Sequence, residues 1–149
     1  GSKAQHPLIA KLASSMKLEL SQYREMLSFA QIASDLDSSA QDLLKKGNRI
    51  TQALRQIAHK PVVFCDEFLC LYSLSCGLYE HIEADKIPEY EPVISDYFHK
   101  QYPNLVDEIE TATQNLSGDI LNQIYEALKE ALTFVLSQKD EKNEQSQSA

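Results

Sequence analysis

Residues 7–33 read PLIAKLASSMKLELSQYREMLSFAQIA. The apolar residues of this segment recur at steps of three and four, which is the spacing of one face of an α-helix. Those residues are Ile9, Leu12, Met16, Leu20, Tyr23, Leu27 and Ala30. Pro7 suits the first turn, where a backbone N–H has no helical partner in any case. The segment therefore predicts a long amphipathic helix over 7–33 with this stripe facing a core.

The same spacing continues through most of the chain. It predicts further helices over about 39–56, 63–76, 88–101, 103–113 and 119–137. The residues expected to face the core in these helices are Leu43, Leu44, Ile50, Ala53, Leu54, Ile57, Phe64, Phe68, Leu71, Tyr72, Ser75, Val93, Ile94, Tyr97, Phe98, Leu121, Ile124, Leu128, Ala131 and Val135. The segment 62–64 could pass for a strand, but it has no obvious partner.

Several residues predict where these helices begin, end or break. Ser38 and Gln41 have the spacing of a capping box, and Ser117 or Asp119 suits the start of the last helix. Gly77 is a natural helix terminator. Gly47 inside the second helix predicts a break or kink, because glycine costs about 1 kcal/mol relative to alanine in a helix interior.

Together these patterns predict an all-α bundle of six to seven helices. The bundle is expected to occupy residues 1–136 as one domain, since 149 residues suffice for one full core. Residues 137–149 contain almost no apolar side chain, so they are predicted to form a disordered polar tail.

Charge and composition exclude several classes of protein. The net charge of −8 is divided unevenly, with +4 over residues 1–60 and −12 over 61–149. A nucleic-acid binder needs clustered basic side chains, so no nucleic-acid partner is expected. No apolar run approaches the roughly 18 residues of a membrane-spanning helix. We therefore expect the chain to meet a membrane only through a larger complex.

The sequence shows no arrangement of residues typical of an active site. Cys65, Cys70 and Cys76 are spaced so that a single helix cannot bring them to one metal ion, so they are predicted to be buried free thiols. His99 has Asp96 three positions before it, but no Glu-x-x-His pair of a carboxylate-bridged metal bundle is present. The helical carboxylates Asp107, Glu108, Glu110, Glu126 and Glu130 are interpreted as a solvated face. The sequence therefore predicts no catalytic residue and no metal site.

Three segments carry a resemblance to a known family. They are Gly-Ser-Lys-Ala-Gln at 1–5, Met-Lys-Leu-Glu-Leu-Ser-Gln-Tyr-Arg-Glu at 16–25 and Phe-Ala-Gln-Ile-Ala-Ser-Asp-Leu-Asp-Ser at 29–38. In this order and spacing they resemble the start of the C-terminal helical domain of the alpha subunit of F-type ATP synthases, and residues 49–56 continue the match. The likeness is specific over the first 56 positions and extends in helix length and order over about 135 residues.

The resemblance implies a structural role within a rotary motor. In that family three alpha subunits alternate with three beta subunits around the gamma shaft, and alpha binds ATP or ADP with Mg without turning it over. The arginine finger and the phosphate-binding loop of alpha precede the segments matched here. The chain is thus expected to be a C-terminal piece of alpha that binds no cofactor alone and supports proton-driven ATP synthesis within the complex.

Two sets of residues acquire expected roles from the resemblance. Gln56 matches the first of two glutamines near the adenine of the alpha-bound nucleotide, and Ala58 occupies the position of the second. Ser34, Asp35, Leu36 and Asp37 match the loop that faces the central stalk. The two aspartates either meet basic residues of gamma or serve the chain itself, by capping the next helix or pairing with Arg24.

The resemblance also implies partners and a location. The expected partners are the remaining N-terminal part of alpha, the beta subunits and the gamma subunit. The expected location is the matrix side of the mitochondrial inner membrane, with the plastid thylakoid and the bacterial plasma membrane as alternatives. A stand-alone helical adaptor derived from this domain remains an alternative function.

Overall fold

Six α-helices account for most of the residues that the structure describes. The computed structural model describes residues 6–30, 38–59 and 63–147, and it describes the side chains of 6–28, 38–55 and 63–146. The helices are α1 (Pro7–Ala30), α2 (Ser38–His59), α3 (Phe64–Ser75), α4 (Ile87–Gln101), α5 (Pro103–Thr111) and α6 (Gly118–Gln147), with a short 3-10 helix at Ala84–Lys86 before α4. The described residues contain no strand. The predicted all-α bundle is confirmed.

The centre of the bundle is α3, which contacts every other α-helix. Its buried side chains point in all directions around the helix axis, and a helix that is apolar on all sides must be enclosed. They are Phe64, Cys65, Phe68, Leu69, Cys70, Leu71, Ser73 and Leu74. The other helices therefore pack as a shell around α3.

The C-terminal end of α3 is a Schellman motif. Gly77 has φ +73° and is the only described residue with positive φ. Its N–H donates to the carbonyl of Leu74, and the N–H of Leu78 donates to the carbonyl of Ser73. These two bonds satisfy carbonyls that the helix leaves free. The prediction that Gly77 terminates the helix is confirmed.

The C-terminal half of the chain closes the core from the other side. Ile94 and Phe98 of α4 and Ile109 of α5 are buried, and so are five described residues along one face of α6. Four of them, Ile124, Leu128, Ala131 and Val135, were predicted, and the fifth is Ala127. Ser117 caps α6, because its hydroxyl accepts a hydrogen bond from the N–H of Ile120.

Some expectations for individual residues were wrong. Ser75 is exposed at the end of α3, and Val93 is 36% exposed on α4. Leu27 was expected to continue the buried stripe of α1, but it is 41% exposed. The helical spacing identifies one face of a helix, but it does not tell how far along that face the core extends.

The last helix runs further than expected. A disordered polar tail was predicted over 137–149, whereas α6 continues through Gln147. Lys139 Nζ pairs with Glu89 at the start of α4, 2.5 Å away, and lies over the ring of Tyr90. The remaining residues include several good helix formers, so the helix propagates without a core beneath it. Residues 148 and 149 lie outside the described part of the chain.

Gly47 brings α1 and α2 into close contact. The predicted break at Gly47 is wrong, since α2 is continuous from Ser38 to His59. A Cβ atom at position 47 would lie 2.5 Å from Tyr23 Cβ and closer still to the ring. Glycine is therefore required here for space rather than for backbone freedom.

Around this contact and towards the connection between them, the two helices form a segment that we call the arm, comprising residues 17–28 of α1 and 38–46 of α2. No described side chain of the arm is buried, whereas Leu8, Ile9 and Met16 of α1 and Ile50 and Ala53 of α2 are. Lys46 and Glu19 form an ion pair of 3.1 Å between the two helices of the arm. The described arm therefore contributes no fully buried side chain to the core, although Leu20 packs against it.

A carboxyl group lies in the core beside α3. Glu91 Oε1 is buried and has no hydrogen-bond partner in the described structure. Burial raises the pKa of Glu91 to about 7, against an opposing hydrogen bond with the Cys70 thiol. Tyr79, which is buried nearby, has its pKa raised by burial and by the charge of Glu91. Glu91 is thus more easily protonated in the folded chain than in the unfolded chain.

The contact at Gly47 predicts a destabilising substitution. Gly47→Ala should lower the free energy of unfolding by about 1–3 kcal/mol, because Tyr23 Cβ is close to the α1 backbone and cannot rotate away. Gly118→Ala is the matched control, since a Cβ there meets nothing within 4 Å; it should be neutral or stabilising by up to about 1 kcal/mol. Urea unfolding measures both, and a Gly47→Ala variant as stable as the parent contradicts the close contact.

The buried carboxyl predicts a pH dependence. Because the folded pKa of Glu91 is raised from 4.5 to about 7, the folded state holds a proton that the unfolded state loses as the pH rises from 4.5 to 7. Its contribution to stability therefore falls over that window. One pKa unit corresponds to about 1.4 kcal/mol. As the pH rises from 4.5 to 8, the free energy of unfolding of Glu91→Gln should therefore increase by roughly 3 kcal/mol relative to that of the parent.

Glu89 provides a control of opposite sign two residues away. It is exposed, and its pKa is lowered first by the hydrogen bond with Lys139. Its contribution to stability is present above pH 4.5 and is lost as the pH falls, so Glu89→Gln should be less stable than the parent at neutral pH only. Urea unfolding of the three proteins at several pH values gives the comparison. If the difference in free energy of unfolding between Glu91→Gln and the parent is the same at every pH, the burial of Glu91 is contradicted.

Candidate functional site

The residues predicted to face the central stalk lie, in sequence, between the two helices of the arm. Ser34, Asp35, Leu36 and Asp37 fall within 31–37, which connects α1 to α2 and lies outside the described residues. Whether the two aspartates serve a partner or the chain itself therefore stays a prediction. What is described is that both helices leading to this connection belong to the arm.

The arm presents apolar side chains as well as charges. Leu18 is 63% exposed and Leu27 is 41% exposed, and both lie on α1. They are among the few large apolar residues that the described structure leaves so accessible. Nine positions separate the two leucines, so they lie on opposite sides of α1, about 180° apart, and do not form one patch. Leu27, four positions before the connection 31–37, is the one placed to contact a protein partner there.

The base of α2 carries residues from the segment that resembles the ATP synthase family. Arg49 Nε donates a hydrogen bond of 2.8 Å to the carbonyl of Ile82, and Thr51 Oγ1 donates one to the carbonyl of Gly47. Both side chains therefore hold the chain's own backbone. Gln56 follows one turn later within α2, and its side chain lies outside the described residues. Its predicted contact with adenine remains a prediction.

An open depression of about 400 Å³ lies beside Arg49. It is lined by Asp42, Lys45, Lys46, Arg49, Glu80 and His81. The lining combines three cationic side chains with two carboxylates and an imidazole. One of the cations, Lys46, is already paired with Glu19. The depression therefore offers a mixed polar surface rather than a cradle for one kind of charge.

A second polar cluster joins the N-terminal turn of α3 to the last turn of α4. Asp66 Oδ1 accepts a hydrogen bond from Ser95 Oγ and one from His99 Nε2, each 2.6 Å long. Asp96, the predicted acidic neighbour of His99, instead pairs with Lys100 at 3.0 Å. The true partner is 33 positions away in sequence, so local spacing could not reveal it.

The cysteines and carboxylates agree in part with the predictions. Cys65 and Cys70 are buried free thiols as predicted, whereas Cys76 is exposed. Burial raises the pKa of Cys65 to about 12, and the charges of Asp66 and Glu110 add to the effect.

Four of the five carboxylates predicted to be solvated are exposed, namely Asp107, Glu108, Glu126 and Glu130. The exception is Glu110, which is half-buried and accepts a hydrogen bond of 2.9 Å from the N–H of Cys65. It satisfies one of the free N–H groups of the first turn of α3. Glu110 therefore has a structural role that the sequence did not indicate.

A shallow depression of about 580 Å³ lies between α6 and the start of α5. At its edge Glu130 accepts hydrogen bonds from the hydroxyls of Tyr97 and Tyr102. Burial, followed by the hydrogen bond to Glu130, raises the pKa of Tyr102. A tyrosine that holds its proton this firmly is suited to binding helices together rather than to proton transfer at neutral pH.

In the parts of the chain that the structure describes, none of the helices combines the length and the apolar character that a bilayer span requires.

Comparison with known proteins gives a consistent result. The sequence model of the family described as ATP synthase alpha/beta chain, C terminal domain, matches residues 5–131. ATP synthase subunit alpha of Lactobacillus johnsonii is 37% identical over 134 residues, which is 90% of this chain and 27% of the relative. The same subunit of Idiomarina loihiensis is 36% identical over 129 residues, and that of Lactobacillus gasseri is 39% identical over 131; each alignment covers 87% of this chain and 25% of the relative.

The chain thus spans about a quarter of the length of these relatives. The match covers α1 to α5 and the first half of α6, together with the connection at 31–37. The chain belongs to the family of C-terminal domains of ATP synthase alpha and beta chains, and its relatives are alpha subunits.

Proposed function

We propose that the chain is the C-terminal helical domain of the non-catalytic alpha subunit of a rotary ATP synthase. There it forms a structural part of the alpha/beta hexamer around the central stalk and supports proton-driven ATP synthesis. The observation that carries the proposal is the family match over residues 5–131. Catalysis, and ATP or ADP with Mg, belong to the complete subunit and its neighbours in this proposal.

The division between core and arm supports this role. The base of the bundle is packed around α3, and close-packed interiors transmit force because they have low compressibility. The arm has no fully buried side chain among its described residues, and the connection 31–37 joins its two helices in sequence. In the proposal the arm reaches the gamma subunit while the base holds alpha against beta.

The connection itself supplies the proposed contact with the stalk. Asp35 and Asp37 add two negative charges between the two helices of the arm in sequence, flanked by Ser34 and Leu36. Acidic side chains favour an encounter with a basic surface and fix its register more than they add affinity. Leu27, which is 41% exposed and lies four positions before the connection in sequence, supplies apolar area that such an interface needs for affinity.

Gln56 is proposed to lie at the edge of the adenine in the completed alpha subunit. An amide side chain can both donate to and accept from a purine edge. Ala58, at the position of the second expected glutamine, offers no such group. The contact would therefore depend on Gln56 alone.

The relatives named above are bacterial proteins. They support a complex at the bacterial plasma membrane and lend no support to the mitochondrial location expected from the sequence. The chain would reach the membrane only through its partners.

A stand-alone helical adaptor is the second candidate. It is favoured by the size of the core, since 24 apolar residues are buried without any partner. The two proposals differ in which proteins bind the chain, and affinity purification can identify them.

Affinity purification from native membranes tests the assembly. The tagged chain should recover beta subunits, a gamma subunit and the N-terminal part of alpha, and native mass spectrometry should find them in one complex. An unrelated tagged protein of similar charge serves as the control for non-specific binding. Recovery of the chain alone, or with unrelated proteins only, would favour the adaptor.

The arm predicts a more specific effect. The double variant Leu18→Ser/Leu27→Ser removes exposed side chains, so the free energy of unfolding of the chain should change by less than about 1 kcal/mol. Affinity for the complex should fall about tenfold or more, because burying a leucine contributes about 1.5–3 kcal/mol.

Val93→Ser is the matched control, since Val93 is 36% exposed but lies on α4, outside the arm. It should leave recovery of gamma unchanged. Equal recovery of gamma by the double variant and the parent, or equal loss in the control, contradicts a role for the arm in docking.

A further inference from the structure

We propose that Cys65, Asp66 and His99 form a binding site for one divalent metal ion of the zinc class. The sulfur of Cys65, a carboxylate oxygen of Asp66 and a ring nitrogen of His99 all lie within 4.8 Å of one another. Two residues come from the first turn of α3 and one from the last turn of α4. The site is independent of the proposed role in ATP synthase.

The three donors suit such an ion in kind and in distance. Thiolate sulfur, imidazole nitrogen and carboxylate oxygen are the protein ligands of Zn²⁺, at about 2.0–2.3 Å. Ligand atoms around one ion are therefore roughly 3–4 Å apart, which small side-chain movements would reach from the observed arrangement. His99 Nε2 and Asp66 Oδ1, now 2.6 Å apart, are joined by a hydrogen bond whose place the ion would take, with the imidazole carrying its proton on Nδ1 instead.

Neighbouring groups hold two of the three donors in position. Ser95 Oγ donates to Asp66 Oδ1, which fixes the carboxylate from the side of α4. Glu110 accepts from the N–H of Cys65 and so holds the first turn of α3 from the side of α5. Hydrogen-bonded outer partners of this kind orient ligands and tune metal affinity.

Burial gives the site a closed side and an open side. Cys65 is fully buried, whereas the side chains of His99 and Asp66 are 35% and 31% exposed. An ion could therefore enter past the imidazole and carboxylate and meet the thiol from outside. Three protein ligands with one position left for water is the arrangement of open zinc sites.

Carboxylates beside the thiol favour a cation at this place. An oxygen of Asp66 lies within 4.8 Å of the Cys65 sulfur, and Glu110 accepts a hydrogen bond from the N–H of Cys65. A divalent ion also stabilises a thiolate directly. Binding then forms a bond from Cys65 sulfur to the metal and releases the thiol proton to solvent, without any oxidation or reduction.

Cobalt titration of the full 149-residue chain tests the site. Under reducing, metal-free conditions Co²⁺ should bind once per chain, give a thiolate-to-cobalt charge-transfer band in the near ultraviolet and release about one proton. Zn²⁺ should displace it and abolish the band. Cys65→Ser should lose the band, and His99→Ala should weaken binding by about tenfold or more.

Two matched controls separate the site from adventitious binding. Cys76→Ser removes the exposed thiol and His81→Ala an exposed imidazole outside the cluster, and neither should change the titration. Far-ultraviolet circular dichroism verifies that each variant is folded, and Ser95→Ala, which leaves every ligand in place, should weaken binding without abolishing the band. No stoichiometric binding, a band that survives in Cys65→Ser, or a band that Cys76→Ser removes each overturns the proposal.

Discussion

The enclosure of α3 is the constraint on which the rest of the structure depends. A helix that is apolar on every side cannot remain in water, so each of the other helices must contribute a face to cover it. Its two ends impose further requirements. Glu110 satisfies an N–H of the first turn, and the positive φ of Gly77 reverses the chain after the last turn. The chain then returns to cover α3 with α4, α5 and α6, so the order of the helices follows from the need to enclose this one.

Much of this could be predicted from sequence, and the failures have identifiable causes. Helical spacing located all six helices to within a few residues, except for the C-terminal end of α6, because periodicity, prolines and Gly77 are local signals. Spacing could not tell where a core ends, so Leu27 and Val93 were placed inside. Sequence alone also predicts a break in α2 at Gly47. The residue is glycine because Tyr23 of α1 leaves no space for a Cβ atom, and a contact between two helices is not visible in the local sequence. The candidate site is harder still: residues 34–37 and Gln56 were identified by resemblance alone, and their contacts lie outside the described part of the chain.

Hydrogen bonds between polar side chains of different helices were the feature that the sequence predicted least well. Asp66 meets Ser95 and His99, and Glu91 meets Cys70, in each case across a contact between α3 and α4. Each pair is separated by more than 20 positions, so no short motif contains both members. The two contacts also differ in consequence. Asp66 keeps partners and partial access to water, whereas one oxygen of Glu91 has neither. The arrangement around Asp66 suits a site that accepts a cation. The buried oxygen of Glu91 instead lowers the stability of the fold by an amount that depends on pH.

The distribution of the family resemblance gives an argument about the arm. Segments 16–25 and 29–38, which resemble alpha subunits, coincide with the arm and its connection. No described side chain of 17–28 or 38–46 is buried, so packing within this chain constrains the sequence less there than in the core. Buried residues of the resembling region, such as Ile50 and Ala53, are constrained by the core in any case. A resemblance that continues over exposed residues is explained when a partner covers them. For the arm, the proposed partner is the central stalk.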